Sequence, residues 1–258
     1  MILPKAINQI VVILFFVNIT LTILELFFDY INQVKRDRFE DKQSFIIGIL
    51  YNITEELGFG IIGLYALSYL SSQSFNLIFL SGPLGWIISI FLADLTYYIM
   101  HRTEHKVGFL WCYHATHHNS SEYNLLTGYR LSFMEHLIEW IFLAPLILLG
   151  LSPEMVIGSM IIVAQYQHWI HTKKVIRIPL FDKIFNSPSP HRVHHASNEG
   201  FLDKNFGGIT LIWDHLFGTY QDEVFDVKFG ITRNVDTKSL FDVLINEWRI
   251  WWREKNGS

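Results

Sequence analysis

Residues 77–118 read LIFLSGPLGWIISIFLADLTYYIMHRTEHKVGFLWCYHATHH, in which an apolar stretch leads directly into a segment with five histidines. Residues 77–100 contain one charged side chain, that of Asp94. A bilayer core about 30 Å thick needs roughly 20 apolar residues in helical form, so this stretch is long enough to cross a membrane. The histidines follow the end of the predicted span, where side chains meet water.

Two further stretches reach the length of a span, residues 7–28 and residues 45–70. The first has no lysine, arginine, aspartate or histidine, and it lacks the short apolar core and small-residue cleavage site of a signal peptide. The second contains Glu55, Glu56 and several glycines. Together with residues 77–100, these stretches predict three long membrane-spanning helices.

Two shorter apolar stretches follow, residues 133–151 and residues 153–170. Only a turn at Ser152 and Pro153 separates them, and so short a connection predicts an antiparallel helical hairpin. The hairpin either crosses the bilayer or dips into it and returns. The predicted fold class is therefore all-α: an integral-membrane helical bundle of three long spans and a helical hairpin, with a cytosolic histidine-rich helical cap.

The composition of the chain agrees with a membrane protein and excludes several other classes. Of its 258 residues, 50% are hydrophobic and 17% are charged, against about 25% charged in a typical soluble domain. The mean hydropathy is +0.26. Cys112 is the only cysteine, which excludes an internal disulfide and any cysteine-based zinc or iron–sulfur site. The net charge of −4 provides no basic surface for nucleic acid.

The basic residues predict the orientation, because lysine and arginine tend to remain on the cytoplasmic side. If the loop with residues 35–42 is inside, residues 71–75 lie outside and carry no charge. Residues 101–132 and all residues after 170 are then inside, and 19 of the 20 basic residues are cytoplasmic, with Lys5 as the exception. We therefore expect a multi-pass membrane protein whose histidines lie on the cytoplasmic side.

The same reasoning divides the chain into three parts. Residues 1–100 form the N-terminal transmembrane helices, residues 94–220 form a histidine-rich domain that includes the hairpin at 133–170, and residues 221–258 form a cytosolic tail. In the tail, residues 246–255 place three tryptophans beside two arginines. This composition indicates either an amphipathic helix at the membrane surface or one more helix packed on the domain.

Ten of the twelve histidines fall in or just before three boxes near the ends of predicted membrane segments. Residues 101–105 read HRTEH, residues 114–118 read HATHH, and residues 191–195 read HRVHH, which repeats the second spacing 77 residues later. Residues 167–172, QHWIHT, add two histidines at the end of the hairpin. Side chains three or four residues apart share one face of a helix, so histidines of one box can meet one ion.

The number of histidines suits two metal ions. Neutral imidazoles are the commonest metal ligands in proteins, and about nine of them exceed what one tetrahedral zinc accepts. Two ions of intermediate softness, with coordination positions left open, fit this set. His136 and His215 stand outside the boxes, and we expect structural or substrate-facing roles for both.

Several polar residues within the apolar stretches need partners. Asp94 and Tyr98 fall on or near the histidine face of the third predicted span. We expect Asp94 to accept a hydrogen bond from the free ring N–H of a metal-bound histidine. Glu55, Glu56 and Glu135 either line the region of a substrate head group or pair with neighbouring residues, and we expect pairing.

At these intervals, and between these membrane segments, the three boxes resemble the fatty acid hydroxylase superfamily, which includes sterol desaturases, sterol methyl oxidases and fatty acid hydroxylases. The resemblance runs from about residue 94 to residue 220. Within the superfamily, HHNSSEYNLLTGYR, QHWIHT, SPHRVHHASN, DKNFGG and WDHLFGT look most like the alkylglycerol monooxygenase branch. Members of the superfamily are integral-membrane non-haem di-iron enzymes that use dioxygen on lipids, and this branch cleaves ether lipids with tetrahydrobiopterin as electron donor.

The resemblance implies a membrane-bound di-iron oxygenase, with residues 94–220 as its di-iron domain, that hydroxylates or desaturates an alkylglycerol, fatty acyl or sterol-like lipid. It implies two iron ions, dioxygen as co-substrate, and tetrahydrobiopterin or an electron-donating protein as reductant, beside the lipid substrate and membrane lipids as partners. Asp94, Tyr98 and Asn198 would support the ligands. The implied ligands are His101, His105, His114, His117, His118, His171, His191, His194 and His195, to which we add His168, where that branch often has an aromatic residue.

Two other functional classes are compatible with a histidine-rich membrane protein. A metal transporter lines its pathway with histidines, but transport sites lie near the bilayer midplane, whereas these boxes follow the ends of the spans. A di-zinc membrane hydrolase needs a general-base carboxylate beside its metals, and the sequence contains no HExxH motif. The metal that copurifies with the protein, and the consumption of dioxygen with a lipid, distinguish the three classes.

Overall fold

The computed structural model of the chain describes residues 3–54, 57, 62–132, 134–233 and 237–257. Over these residues it contains helices and isolated β-bridges, and no strand. The predicted all-α fold class is confirmed.

Ten α-helices cover most of the described residues. They are α1 (Lys5–Ile31), α2 (Arg38–Thr54), α3 (Leu64–Ser72), α4 (Gly82–Lys106), α5 (Gly108–His118), α6 (His136–Leu149), α7 (Pro153–His168), α8 (Pro188–His194), α9 (Ile212–Phe217) and α10 (Leu240–Asn256). Short 3₁₀ helices at Leu125–Tyr129, Phe181–Lys183 and Glu199–Phe201 lie in the connections.

Two helices, α1 and α4, are long and apolar enough to cross a membrane, judged by length and composition. Of the predicted span at residues 45–70, the structure describes α2 up to Thr54 and α3 from Leu64, and most of the residues between them lie outside the described part. α2 also begins earlier than the apolar stretch, with Glu40 in its first turn, where a negative charge stabilises the helix N-terminus. Residues 55 and 56, for which we expect pairing, lie outside the described residues. The described part of the chain thus supports two of the three predicted long spans.

The faces of α1 are inverted relative to those of a helix in a soluble protein. Four of the residues that it buries are polar or acidic: Asn18, Thr22, Glu25 and Asp29. Four large apolar residues on its other faces are each more than half exposed: Ile13, Phe16, Ile23 and Phe27. A soluble protein does not leave so large an apolar surface to water, whereas lipid accepts it. The inversion supports the membrane assignment of this helix.

The predicted hairpin corresponds to α6 and α7, joined by residues 150–152; Phe133, at the predicted start, lies outside the described residues. Gly150 has a φ of 124°, and a Cβ there would lie 2.5 Å from the Ile78 carbonyl oxygen. Only glycine fits this turn. The Ser152 hydroxyl then caps α7 by accepting a hydrogen bond from the Met155 N–H at 3.3 Å.

The helices α1, α4 and α7 pack side by side and run in the same direction. The Ser159 hydroxyl donates to the Ser89 hydroxyl at 2.9 Å between α7 and α4. The Asn18 amide of α1 donates to the Gln165 carbonyl oxygen of α7 at 2.9 Å. Because all three helices begin at the end of the bundle near the α6–α7 turn, their C-termini meet at the opposite end. That end carries the histidines.

The C-terminal helix α10 packs on α5. The Trp111 indole N–H donates to Glu247 at 3.1 Å, and the Asn119 amide donates to the Val243 carbonyl at 2.9 Å. Trp248 contacts the ring of Tyr113 edge-on at 4.7 Å, whereas Trp252 is 64% exposed. Of the two alternatives for this segment, the structure shows a helix packed on the domain.

Candidate metal centre

Four segments meet at the histidine end of the bundle. The last two turns of α4 carry HRTEH, the second half of α5 carries HATHH, α8 and the residue after it carry HRVHH, and His171 follows α7. α8 has only seven residues and begins at Pro188, whose fixed φ and missing N–H suit the first helical position. A short helix is sufficient here because it only has to direct the three imidazoles of HRVHH towards the histidines of the other segments.

Five histidines form what we call the first cluster: His101, His105, His114, His118 and His194. Each contributes one ring nitrogen to a group in which all nitrogens lie within 4.8 Å of one another. The Nε2 atoms of His101 and His114 are 3.0 Å apart, those of His114 and His118 are 3.0 Å apart, and those of His118 and His194 are 3.1 Å apart.

Four more histidines form the second cluster: His117, His171, His191 and His195. Here the Nε2 of His171 lies 3.1 Å from that of His117 and 2.8 Å from that of His191, and the Nε2 atoms of His191 and His195 are 3.2 Å apart. The clusters adjoin, because the rings of His118 and His195 stack at 4.3 Å. The structure thus brings nine of the ten predicted ligands into two neighbouring groups.

Backbone carbonyls determine which ring nitrogen faces the cluster centres. The Nδ1–H of His101 donates to the Phe206 carbonyl at 2.9 Å, and that of His194 donates to the Lys204 carbonyl at 2.9 Å. A carbonyl oxygen only accepts, so each of these rings carries its proton on Nδ1 and its lone pair on Nε2. Lone pairs that converge at such distances repel one another unless a cation lies between them. The donor set therefore fits a metal ion.

The protonation state of the imidazoles agrees with this fit. Burial lowers the pKa of six of them well below the usual value for histidine, and the neighbouring imidazoles lower it further; the six are His114, His117, His118, His191, His194 and His195. Burial lowers the pKa of His171 to about 4. At neutral pH these rings are uncharged, which is the form that binds metals.

The loop at residues 203–206 supplies most of the outer contacts to the first cluster. Asp203 Oδ1 lies 3.6 Å from His105 Nδ1, and its other oxygen accepts from Lys106 at 2.6 Å. Hydrogen bonding with His105 and Lys106 holds the pKa of Asp203 well below its usual range. Asn205 has a φ of 54°, and its amide donates to the Gln221 carbonyl at 2.8 Å. The DKNFGG motif was a sequence signal for this loop, but its role as a histidine support was not predicted.

Glu104, a buried glutamate inside the first box, is also a site residue that was not predicted from the sequence. Glu104 Oε2 lies 3.3 Å from the Nδ1 of His114, and both side chains are buried. Glu104, His114 and Glu135 form a third group whose atoms lie within 4.8 Å of one another. Glu104 falls three residues after His101 on α4, and this spacing was the available signal for its position on the histidine face.

Arg130 and Glu40 stabilise the segment that follows α5. Arg130 is fully buried, donates to the Thr116 carbonyl at 3.2 Å and also donates to Asn119, near the helix C-terminus, where a cation is favoured. Burial lowers the pKa of Arg130 to about 10, so it stays charged at neutral pH. Glu40 accepts from the hydroxyls of Ser120 at 2.5 Å and Ser121 at 2.7 Å.

The hydrogen bond expected between Asp94 and a histidine ring differs from the contacts that the structure shows. Asp94 accepts from the Ile209 N–H at 2.6 Å and the Trp213 indole at 2.9 Å, so it anchors the loop after the third box rather than a histidine ring. Asp94 lies seven residues before His101, about 10 Å along a helix, which is too far for the expected bond.

Tyr98 and Asn198 likewise have other partners in the described structure. The Tyr98 hydroxyl lies 3.0 Å from the Thr219 hydroxyl, and it accepts from Arg102 at 3.1 Å. The Asn198 amide oxygen accepts from the Lys228 N–H at 2.8 Å. Both residues stabilise chain segments around the clusters.

Three histidines lie outside both clusters. His168 Nε2 lies 2.9 Å from the Thr22 hydroxyl, and its ring lies near His171 beside Gly128 but belongs to neither cluster. His136 Nε2 lies 3.3 Å from the Tyr51 carbonyl, and the His215 ring stacks on another aromatic ring at 4.0 Å.

Two cavities border the clusters. The inner cavity, about 80 Å³, lies between α4, α6 and α7 and is lined by both clusters, by Glu135 and Glu139, and by apolar residues such as Met100 and Met160. The outer cavity, about 330 Å³, opens beside the first cluster and is lined by His105, Lys106 and Trp111. Each side of the metal centre is therefore adjacent to space that a small group can enter.

The chain matches known proteins over its histidine-containing part. A family model described as Fatty acid hydroxylase matches residues 86–219. Alkylglycerol monooxygenase of Homo sapiens is 37% identical over 174 residues, which are 66% of this chain and 39% of that protein. Alkylglycerol monooxygenase of Danio rerio is 37% identical over 168 residues, which are 65% of this chain and 37% of that protein.

A bacterial protein is more distantly similar. The ornithine lipid hydroxylase of Rhizobium tropici is 29% identical over 138 residues, which are 53% of this chain and 41% of that protein. The chain spans about two fifths of the length of these curated relatives. No solved structure matches it significantly.

Proposed function

The chain belongs to the fatty acid hydroxylase family, and from this premise we propose that it is a membrane-bound oxygenase that uses two iron ions and dioxygen to hydroxylate a lipid. The observation that carries the proposal is the pair of adjoining clusters of five and four buried, uncharged imidazoles. An all-nitrogen donor set of intermediate softness is suited to iron. When bound, two iron ions supply an oxidant strong enough to break an unactivated C–H bond.

The proposed ligands are the nine clustered histidines. The first cluster would hold one ion and the second cluster the other, with His168 outside both. The carbonyls of Lys204 and Phe206 keep the lone pairs of His194 and His101 directed inward, and Glu104 is positioned to orient His114. The protein thereby fixes the donor atoms before any ion binds, which reduces the reorganisation that binding requires.

The position of the clusters supports access by a lipid. The apolar outer faces of α1 and α4 support a position of the bundle in the bilayer, and the clusters lie where both helices end. The inner cavity lies between α4, α6 and α7 and borders both clusters, and we propose it as the place where a lipid group approaches them. We propose a multi-pass protein whose histidine end is cytoplasmic, in agreement with the distribution of lysine and arginine.

For the substrate we propose a lipid such as an alkylglycerol, a fatty acyl or a sterol-like lipid, because relatives are named for alkylglycerols and for an ornithine lipid. The outer cavity beside the first cluster is the proposed approach for the reductant, either tetrahydrobiopterin or an electron-donating protein. Hydroxylation rather than desaturation is the outcome that the names of the relatives favour.

Metal analysis combined with dioxygen uptake tests the proposal. We expect two iron ions per chain at saturation, and dioxygen consumption that depends on an added lipid and a reductant. One ion at saturation in folded protein contradicts the two-iron centre. Zinc with lipid hydrolysis and no dioxygen uptake would support the hydrolase alternative, and metal flux into vesicles would support the transporter.

A further inference from the structure

Two segments of the chain after α7 turn apolar side chains outward. Residues 178–185 form the first segment, and α9 forms the second. Leu180 is 78% exposed, Ile184 is 45% exposed and Leu216 is 68% exposed. We call the exposed apolar surface of these two segments the apolar patch, and it consists of Leu180, Phe181, Ile184, Phe185, Ile212 and Leu216.

The same two segments bury acidic side chains. Asp182 is 2% exposed, and it accepts a hydrogen bond from the Ile178 N–H at 2.7 Å. Asp214 is fully buried, and it accepts from the backbone N–H groups of Phe206 and Gly207, each at 2.8 Å. This is the inversion that α1 shows, with acidic groups inside and apolar groups outside. Contact with water disfavours such an arrangement, whereas contact with lipid favours it.

Backbone hydrogen bonds join the two segments. The Leu211 N–H donates to the Ile184 carbonyl at 2.9 Å, and the Asn186 N–H donates to the Ile209 carbonyl at 2.8 Å. Backbone groups that face acyl chains have no water to bond with, so a segment in contact with lipid must pair such groups internally. These bonds hold the apolar patch together as one surface and suit it to an apolar environment.

The second segment packs against the part of α4 that is predicted to span the membrane. The Trp213 indole N–H donates to Asp94 at 2.9 Å, and the Trp213 ring lies 4.8 Å from the ring of Phe91. The ring of Phe217 stacks on the ring of Tyr98 at 5.4 Å. All three of these α4 residues fall within its predicted span.

The geometry of α4 indicates the depth of this contact. Phe91 lies nine residues before Met100, where the predicted span ends. A helix rises about 1.5 Å per residue, so Phe91 lies about 14 Å inside a bilayer core about 30 Å thick. Phe91 is 44% exposed, so α9 packs at the outer side of α4, where Ile87 is 64% exposed. The apolar patch therefore continues the apolar outer surface of α4.

We propose that residues 178–185 and α9 lie within the cytoplasmic leaflet of the membrane, with the apolar patch in contact with acyl chains. The inference rests on the proposed function for the position of α4 in a membrane. Lys183 is exposed in the first segment, and its long stem lets the ammonium group reach lipid phosphates while the neighbouring side chains contact carbon. Part of the chain after residue 170 is then embedded in the leaflet, although the sequence predicts it to be cytosolic.

Fluorescence quenching in phosphatidylcholine vesicles tests the proposal. The full chain is reconstituted with a nitrobenzoxadiazole label on one introduced cysteine, Leu180→Cys or Leu216→Cys. Cys112 is 2% exposed, so the label attaches at the introduced position. One quencher is a phosphatidylcholine with a nitroxide near the start of its acyl chain, and the other is iodide on both sides of the membrane. We expect the lipid to quench both labels strongly and iodide to quench them weakly, because the patch lies below the head groups.

Two reference positions calibrate the measurement. Ile87→Cys, on the outer side of α4, gives the ratio of lipid quenching to iodide quenching for a side chain that faces lipid. Glu199→Cys, in the connection after α8, gives the ratio for a side chain in water. We expect the ratios at Leu180→Cys and Leu216→Cys to exceed that of Glu199→Cys by at least about fivefold. All four substituted side chains are exposed, so the label displaces no core contact.

Three results overturn the proposal. In the first, either patch position gives the ratio of Glu199→Cys while Ile87→Cys gives a high ratio, which leaves the proposed function intact. In the second, the patch labels are protected from both quenchers and the copies cross-link more as the protein-to-lipid ratio rises, which assigns the patch to a second copy of the chain. In the third, Ile87→Cys also gives the ratio of Glu199→Cys, which contradicts the proposed membrane-bound oxygenase together with the inference.

Discussion

His101 and His194 donate their Nδ1 protons to the carbonyls of Phe206 and Lys204, two residues apart in one loop. The loop therefore sets the tautomer of two rings that come from different helices. A histidine with the opposite tautomer would direct an N–H, not a lone pair, at the cluster centre. The arrangement leaves the Nε2 lone pair of each ring available to bind a cation.

Removal of one clustered imidazole should abolish function, whereas removal of an imidazole outside the clusters should not. We expect His117→Ala and His194→Ala each to lower turnover by more than about 100-fold, beyond the effect of losing an outer hydrogen-bond partner, and to lower metal content. His136→Ala, which removes a ring outside both clusters, should retain its metal. Metal analysis and lipid-dependent dioxygen uptake measure both effects. Near-normal turnover in either of the first two variants would contradict the ligand assignment.

The clustered histidines could be predicted from the sequence, because both their residue type and their spacing are visible there. The backbone carbonyls that accept hydrogen bonds from them could not be predicted. Every residue type has a carbonyl, and nothing in the sequence marks Lys204 or Phe206 as a partner. Asp94 shows a second limit of prediction from the sequence. Its burial in an apolar stretch correctly predicts that it has hydrogen-bond donors around it, but the donors are on Ile209 and Trp213, which only the folded chain brings there.

The helix α1 joins the bundle through polar contacts. Its apolar side chains face outward, and contacts such as those between Asn18 and Gln165 and between Glu25 and Thr172 fix it against α7 and the segment that follows. In a bilayer, helices gain little from burying apolar surface against each other, because lipid is equally apolar. Polar pairs therefore determine where α1 packs.

Two threonines of α1 allow this idea to be tested with matched substitutions. Thr20 and Thr22 each donate to the carbonyl four residues earlier, but only Thr22 also contacts the His168 ring, at 2.9 Å. We expect Thr22→Val to lower the free energy of unfolding by about 1 kcal/mol, the usual value of one internal hydrogen bond. Thr20→Val should have little effect, because its side chain is exposed. Denaturant unfolding in detergent measures both; equal losses would contradict a specific role for Thr22.

The packing of α10 on α5 supports the second box from outside. Trp248 contacts Phe109 and Tyr113, whereas Trp252 on the same helix is 64% exposed. We expect Trp248→Ala to lower the free energy of unfolding by about 2 kcal/mol, because the side chain is partly buried, and Trp252→Ala to change it by less than about 0.5 kcal/mol. Thermal unfolding of the two variants checks this. A larger effect of Trp252→Ala would show that α10 is held by the membrane surface instead.

At the level of the whole protein, both clusters lie at one end of the bundle, beyond the α6–α7 turn at the other end. This is the arrangement that the positive-inside rule predicts for the histidine side, since the uncharged residues 71–75 fall at the far end with that turn. The Phe75 N–H donates to the Leu148 carbonyl at 2.8 Å, which places the two connections together. In the proposed orientation, the histidine clusters lie towards one side of the membrane and the short uncharged connections lie towards the other.

Cysteine labelling in intact cells tests this orientation. Cys112, the native cysteine, is 2% exposed, so it should add little background. A membrane-impermeant maleimide should label Ser72→Cys from outside and should not label Asn198→Cys. Permeabilised cells should label both. Labelling of both positions from the outer side of intact cells would contradict the predicted topology.

The overall architecture was predictable only in part. The patterns of α1 and α4 are long and uninterrupted, so the sequence identifies both as span candidates. Residues 45–70 have the same mean character, but residues 55, 56 and 58–61 lie outside the described residues, so only the parts in α2 and α3 can be compared with the prediction. The fixing of α10 to α5 was left as one of two alternatives, because a tryptophan-rich face suits either lipid or protein.

The polar face of α1 also has a consequence for how the chain is made. The partners of Thr22, Glu25 and Asp29 at the end of α7 and just after it lie 146, 147 and 145 residues downstream. At a synthesis rate of about 5–20 residues per second, those partners leave the ribosome on the order of ten seconds after α1. During that interval Arg36 is available to pair with Asp29, but Thr22 and Glu25 lack the partners named above, so these two side chains need shelter at the insertion machinery. Biogenesis of this chain is therefore expected to depend on retention of α1 until α7 and the segment after it have been synthesised.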